Sequence, residues 1–209
     1  MPAQPFVRRQ LWHLAAALAA LVPAAASSWA QSPRAVRYRA TIDAADAKSI
    51  SLTTRAGQEL TMAIASDTVI RAIVPFKLED IKPGMYIGSA AMPQPDGTQR
   101  ALEVHVFPEN MRGTGEGHRP FDLQPRSTMT NGTIGTVSGT TGRTLTVKYA
   151  DGQKIVVVPP DTPVVTYEPG SPALLVPGAH VIAVGTEASN GSLSATRISV
   201  GKDGLVPPM

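Results

Sequence analysis

Two histidines and two glutamates near the middle of the chain have the side chains and the spacing to bind a metal ion. Glu103 and His105 stand two residues apart on an expected strand, so both point to one face, about 7 Å apart at roughly 3.3 Å per residue. Glu116 and His118 follow in a segment that could fold back onto that face. Neutral imidazole suits Zn²⁺, Cu²⁺ and Ni²⁺. The pattern therefore predicts a divalent metal site formed by His105, His118, Glu103 and Glu116.

A broader interpretation makes the same region a binding surface for a small ligand or an unknown envelope protein. Its polar side chains cluster in or just before residues 108–130, a segment too rich in specific polar groups for a plain tether. The predicted surface consists of Glu103, His105, Arg112, Glu116, His118, Arg119 and Asp122. In the plainer alternative, Glu103 and His105 form a solvated surface pair, and His118 with Arg119 caps a turn before Pro120.

No recognised catalytic motif accompanies these residues. The chain has no G-x-S-x-G elbow, no H-E-x-x-H pair and no EF-hand loop. The glycines of residues 113–117 could approach an anion, but Pro120 and Pro125 prevent the following helix that a phosphate loop needs, so a turn is predicted. We therefore expect a non-enzymatic binding or scaffold protein. A cell-envelope hydrolase that uses a carboxylate or metal-bound water at the same site, and a purely structural spacer, stay open as alternatives.

The elements that position these residues belong to an internal repeat of roughly seventy residues per copy. Short segments recur in the same order in the two halves of the chain. The matched segments are 41–42 with 133–134, 49–53 with 143–147, 57–60 with 152–155, 67–70 with 161–164, 82–87 with 176–181, 96–98 with 190–192, and 101–106 with 195–200. Arg197 and Ser199 therefore stand where the first copy has Glu103 and His105, so a metal site of this composition could exist in the first copy only.

Within each copy, short runs rich in Val, Ile and Thr alternate apolar and polar residues, which is typical of half-buried strands. Strands are predicted near 36–43, 49–54, 59–65, 85–91 and 99–107, and again near 132–138, 143–149, 153–158, 179–185 and 193–200. A short helical turn is predicted at 76–81. Three strands, a turn and two further strands is the order of a five-stranded OB-like barrel. The predicted fold is all-β, with two such barrels in tandem.

The pattern of T-x-I, a strand pair around G-Q, a D-T step, an L-x-x-I-K-P-G turn, D-G and A-x-x-V resembles family 5666 of domains of unknown function, found in exported bacterial proteins. The resemblance spans both repeats. It implies an OB-like module of the cell envelope and carries no catalytic residues, because its motifs are turns and core positions.

The first thirty residues predict export. Arg8 and Arg9 precede an apolar run of about a dozen residues, and Ser28-Trp29-Ala30 fits a signal-peptidase site. No later run reaches the roughly eighteen apolar residues of a membrane helix, so no transmembrane segment is expected in the mature chain, which should be periplasmic or secreted. The predicted organisation is a signal peptide at 1–30, the first repeat at 31–107, an inter-repeat segment at 108–130, the second repeat at 131–201 and a tail at 202–209.

Composition excludes several classes of protein. The 19 Lys and Arg lose two with Arg8 and Arg9, which leaves 17 against 16 Asp and Glu in the mature chain. These basic residues do not cluster, so we expect no nucleic-acid partner. The absence of cysteine from the sequence excludes disulfides and thiolate metal sites, and stability must come from burial in the core.

Overall fold

The structure is a computed structural model that describes residues 33–139 and 142–209, so the predicted signal peptide at 1–30 lies outside the described residues. The described chain is mostly β. Its helical parts are four short 3-10 turns, at Leu78–Asp80, Glu109–Met111, Pro172–Leu174 and Lys202–Gly204. Over the described ranges, no helix has the length and apolar character needed to span a membrane.

Thirteen strands make up the β structure of the described residues. In chain order they are β1 Arg34–Ala45, β2 Ser49–Thr54, β3 Glu59–Pro75, β4 Tyr86–Pro93, β5 Gln99–Ala101, β6 Val104–Val106, β7 Gly117–Pro120, β8 Thr128–Ser138, β9 Thr144–Tyr149, β10 Gly152–Val157, β11 Val164–Pro169, β12 His180–Glu187 and β13 Leu193–Gly201. All ten predicted strands are present, the predicted 99–107 strand being split into β5 and β6. β7, β11 and the second half of β3 were not predicted from the sequence.

The prediction of two separate barrels in tandem is not confirmed, because hydrogen bonds join all thirteen strands into one sheet. The two predicted repeats also contribute strands to the same groups of paired strands. β1, β2 and β3 close a circuit of paired neighbours with β12 and β13 of the second repeat. Reciprocally, β8, β9 and β10 close a circuit with β4 and β5 of the first repeat. Each circuit therefore contains three strands of one repeat and two of the other.

β3 also pairs antiparallel with β11, which lies in the second predicted repeat. Ile73 lies opposite Tyr167 in this pair. The repeat alignment matches residues 67–70 with 161–164, which makes Ile73 and Tyr167 counterparts, so the two repeats meet symmetrically. β3 is seventeen residues long and extends beyond the first circuit. The next strand along the chain, β4, pairs with β8 and so belongs to the second circuit.

Two large apolar cores stabilise the exchanged arrangement, since each is shared between the repeats. In the first, Ile42 and Leu52 pack with Ile198. In the second, Ile87 packs with Leu145 and other residues of the second repeat. All five side chains are essentially inaccessible to solvent. Each such residue contributes on the order of 1.5 to 3 kcal/mol, so separating the repeats would expose a large part of both cores.

Candidate functional site

Glu103 and His105 form a buried pair. The exposed fraction is 0% for Glu103 and 3% for His105, so the alternative in which they form a solvated surface pair was wrong. The reason is that β6 lies between β4 and β11, and all of its residues are buried, so neither of its faces reaches solvent. His105 Nδ1 lies 3.1 Å from each Glu103 carboxylate oxygen, and Oε1 also accepts the Ala90 N–H at 2.8 Å. Because a carboxylate accepts hydrogen bonds, Nδ1 is the donor and Nε2 is left for other contacts.

The Nε2 end of His105 lies over Gly88, beside Asn131. Gly88 pairs with His105 on one side and with Asn131 on the other, so the three residues form a row across the sheet. A Cβ atom at Gly88 would lie 2.1 Å from His105 Nε2 and 2.6 Å from Asn131 Oδ1. Glycine is therefore required for the two side chains to meet above the strand.

Asn131 is fixed in one orientation by the inter-repeat segment. Its Nδ2 donates to the Thr114 carbonyl at 2.9 Å, which leaves Oδ1 pointing the other way. Asn131 is 3% exposed, and Oδ1 has no hydrogen-bond partner among the described residues. A buried acceptor without a donor is costly, so Oδ1 is a candidate contact for a ligand.

His105 and Asn131 line a cavity of about 130 Å³ where the two repeats meet. Two kinds of side chain line the cavity. The aromatic and thioether side chains are mainly those of Phe107, Phe121, Tyr167, Met111, Met129 and Met209. The cationic ones are Arg37, Arg39, Arg71, Arg119 and Arg197, of which Arg37 and Arg39 lie over the Phe121 ring. This combination suits an anion that also has an apolar part.

The positive charge of the cavity is only partly neutralised. Asp122 pairs with Arg39 at 2.8 Å and with Arg37 at 3.6 Å. Arg71 and Arg197 lie on the neighbouring parallel strands β3 and β13, and neither makes an ion pair or side-chain hydrogen bond within the described part of the chain. Burial, and then the nearby charge of Arg71, lower the pKa of Arg197. The like charges of Arg71 and Arg197 are thus held together at an electrostatic cost.

Stacked aromatic rings hold the His105 side chain in place. The rings of His105 and Phe107 meet edge to face at 4.6 Å, and Phe107 stacks on Tyr167 at 5.9 Å. Burial, followed by the charge of Glu103, raises the pKa of Tyr167 well above its ordinary value. The Tyr167 hydroxyl therefore stays protonated and donates to Met209 Sδ at 3.6 Å.

The structure does not bring the four predicted metal ligands together. His118 Nδ1 contacts Thr130 Oγ1 at 2.8 Å, on β8 directly before Asn131. Neighbouring residues of a strand point to opposite faces, so His118 and His105 lie on opposite sides of the sheet. Glu116 accepts the backbone N–H of Ala150 at 3.0 Å. In residues 33–139 and 142–209, no group of three or more His, Asp or Glu side chains could hold a metal ion.

The remaining predicted surface residues divide between the cavity and the outside. Arg119 reaches the cavity and donates to the Gly115 carbonyl at 2.6 Å. Asp122 lies beside the cavity through its bonds to Arg39. Arg112 instead pairs with Glu109 at 2.6 Å on the exterior. The inter-repeat segment is structured, because its strand β7 pairs with β8.

Four of the five arginines that line the cavity were not predicted from the sequence. Arg37 and Arg39 come from β1, Arg71 from β3 and Arg197 from β13, and no local motif connects these positions. The one sequence signal was the repeat alignment, which sets Arg197 at the position of Glu103. The predicted tail also contributes, since Met209 is buried against the same cavity.

Ionisation of Asp122 should make the stability of the folded protein depend on pH in the acid range. Its hydrogen bonds from Arg39 hold the pKa of the carboxyl below its usual value. A lowered pKa in the folded state means that the ion pair stabilises the protein above about pH 4, the pKa of an unfolded Asp, and that this contribution disappears as the pH falls further. We expect the melting temperature of Asp122→Asn to lie below that of the wild type at pH 7, with the difference shrinking towards pH 3.

Thermal unfolding of both proteins between pH 7 and pH 3 measures this difference in melting temperature. Asp151→Asn, in an exposed turn, is the control and should show no such convergence.

No known protein family, no curated protein and no solved structure matches this chain.

Proposed function

We propose that the chain is an exported, non-enzymatic binding protein that takes a small organic anion in the cavity between its two repeats. The cavity is where the inter-repeat segment meets the strand of His105, the two regions that the sequence analysis predicts as a binding surface. Export to the periplasm or out of the cell, and the resemblance to family 5666, stay predictions from the sequence.

The observation that carries the proposal is the juxtaposition of Arg71 and Arg197. Two half-buried guanidinium groups without a carboxylate partner in the described chain repel each other. An anion between them would relieve this repulsion and accept charge-assisted hydrogen bonds from both. The aromatic side chains that line the same cavity would contact the apolar part of such a ligand.

The proposal predicts opposite effects of one substitution on binding and on stability. In Arg197→Gln, loss of a charged hydrogen bond should weaken anion binding by about 1.5 to 3 kcal/mol, or roughly 10- to 150-fold. The ligand-free variant should melt at the same temperature as the wild type or higher, because the repulsion from Arg71 is gone. Calorimetric titration with small mono- and dicarboxylates and phosphates at low salt, together with thermal unfolding, measures both quantities.

Arg100→Gln is the matched control, since Arg100 is exposed on β5, away from this cavity. It removes the same charge and should leave anion binding unchanged. Equal weakening in Arg100→Gln and Arg197→Gln would mean that only the net charge of the protein attracts the anion, and would overturn the proposal.

The Glu103–His105 pair favours hydrolysis of an anionic ester as a second candidate function. A carboxylate that orients an imidazole with Nε2 facing a cavity has the arrangement of a general base. His105 would take a proton from water as the water attacks the ester carbonyl, and would return it to the leaving alkoxide. Turnover of a small anionic ester that is abolished in His105→Gln would support hydrolysis. Tight binding of product-like acids without turnover would support binding alone.

We further propose that each circuit of five paired strands is an OB-like barrel completed by the other repeat. Two features support this. The third strand of each circuit pairs in parallel with the fifth, as β3 does with β13 and β10 does with β5, and each circuit surrounds its own apolar core. The order of strands within each circuit is that of a five-stranded Greek-key barrel.

A further inference from the structure

We infer that the cavity selects anions that carry an O–H group beside the charge, such as hydrogen phosphate or a 2-hydroxycarboxylate, over anions that have none. The inference rests on the proposed anion site and specifies its ligand. The arginines provide only donors, whereas His105 and Asn131 place acceptors in the same cavity. A bound anion must therefore accept hydrogen bonds from the arginines and donate one to His105 or Asn131.

Asn131 Oδ1 is an acceptor at every pH. The donation from Nδ2 to the Thr114 carbonyl fixes the orientation of the amide, and a rotated amide would set two oxygens against each other. The inter-repeat segment holds that carbonyl in place, since the Tyr86 hydroxyl also donates to it at 3.3 Å. Oδ1 is thus buried, fixed and without a donor among the described residues.

His105 Nε2 is the second acceptor. Because Nδ1 donates to Glu103, the neutral imidazole presents its lone pair at Nε2. Both residues line the cavity, so a ligand O–H group that reaches this end of the cavity could donate to His105 Nε2 or to Asn131 Oδ1. A bare oxyanion oxygen at this position would face two acceptors and be repelled.

Hydrogen phosphate and sulfate distinguish these possibilities. At pH 7.5 both are tetrahedral dianions of similar size, but hydrogen phosphate retains one P–OH donor and sulfate has none. Glycolate and acetate form a second pair, which differs by a hydroxyl beside the carboxylate. A site that is built to hydrogen-bond a ligand hydroxyl discriminates strongly against the analogue without it, because its own polar group is then unpaired.

The test is calorimetric titration of the full mature chain with each of the four anions at equal ionic strength. We expect hydrogen phosphate to bind at least 10-fold more tightly than sulfate, or glycolate at least 10-fold more tightly than acetate. A larger ratio of hydrogen phosphate to sulfate affinity would identify the ligand hydroxyl as that of a phosphate. A larger ratio of glycolate to acetate affinity would identify it as that of a 2-hydroxycarboxylate. In Asn131→Ala the ratio should fall towards one, chiefly because the anion without a hydroxyl binds better. Asn110→Ala, in an exposed 3-10 turn, is the control and should keep the wild-type ratio.

The outcomes separate this inference from the proposed function. If both members of each pair bind the wild type equally and Arg197→Gln weakens them all, the anion site stands and the selectivity for O–H groups is refuted. If none of the anions binds the wild type, both are refuted. The wild-type ratios decide the question even if Asn131→Ala does not fold.

Discussion

Cutting the chain between Gln124 and Pro125 should leave two fragments that stay together as one folded particle. Both residues are exposed, in the turn between β7 and β8. After the cut, β1 still pairs with β12 along Arg34 to Thr41, and β3 still pairs with β13. Both apolar cores also draw residues from the two fragments. Separation would expose these cores, so the fragments should part only in denaturant.

A specific protease site inserted at this turn, followed by size-exclusion chromatography of the cleaved protein, measures the result. The cleaved protein should elute like the intact chain, and urea should release both fragments together in one transition. Residues 33–124 and residues 125–209 expressed separately should each lack a cooperative thermal transition, and mixing them should restore it. Two fragments that elute apart and each keep their β-sheet circular dichroism would show independent tandem barrels and contradict strand exchange.

Replacement of Glu103 by alanine should destabilise the protein by about 3 to 5 kcal/mol, because two buried hydrogen-bond donors lose their acceptor at about 1 to 3 kcal/mol each. The change leaves the His105 Nδ1–H and the Ala90 N–H without an acceptor, and both are inaccessible to water. For a domain of this size we expect a melting temperature lower by roughly 6 to 20 °C.

Glu103→Gln is the informative companion, because an amide oxygen at the position of Oε1 still accepts from Ala90 and His105. It should cost no more than about 1.5 kcal/mol, the net worth of an ordinary hydrogen bond. Glu116→Ala, at another predicted metal ligand, removes one exposed hydrogen bond and should change the melting temperature little. If Glu103→Ala and Glu116→Ala destabilised the protein equally, the assignment of Glu103 as the buried anchor of His105 would be wrong. Denaturant titration of the three variants measures the differences.

Part of the candidate site was predictable from the sequence. The alternation of residues on one strand predicts that Glu103 and His105 share a face, and the structure pairs them at 3.1 Å. The pattern did not reveal that the face is buried, because burial depends on β11, a strand from the other repeat. His118 has the right chemistry for a metal ligand, but its register on β7 directs it to the opposite side of the sheet.

The sequence by itself determined the β-rich character of the chain and the positions of ten strands. These properties are local, since alternation and turn residues act within a few positions. Only the tertiary structure decided which strands are neighbours. The two repeats have nearly the same pattern, so β12 satisfies that pattern equally well beside β8 or beside β1, and alternation does not distinguish these pairings. This pairing brings Arg39, Arg71 and Arg197, which lie on strands far apart in the sequence, into one cavity with His105. The cationic cavity is therefore a consequence of strand pairing, which no local sequence motif encodes.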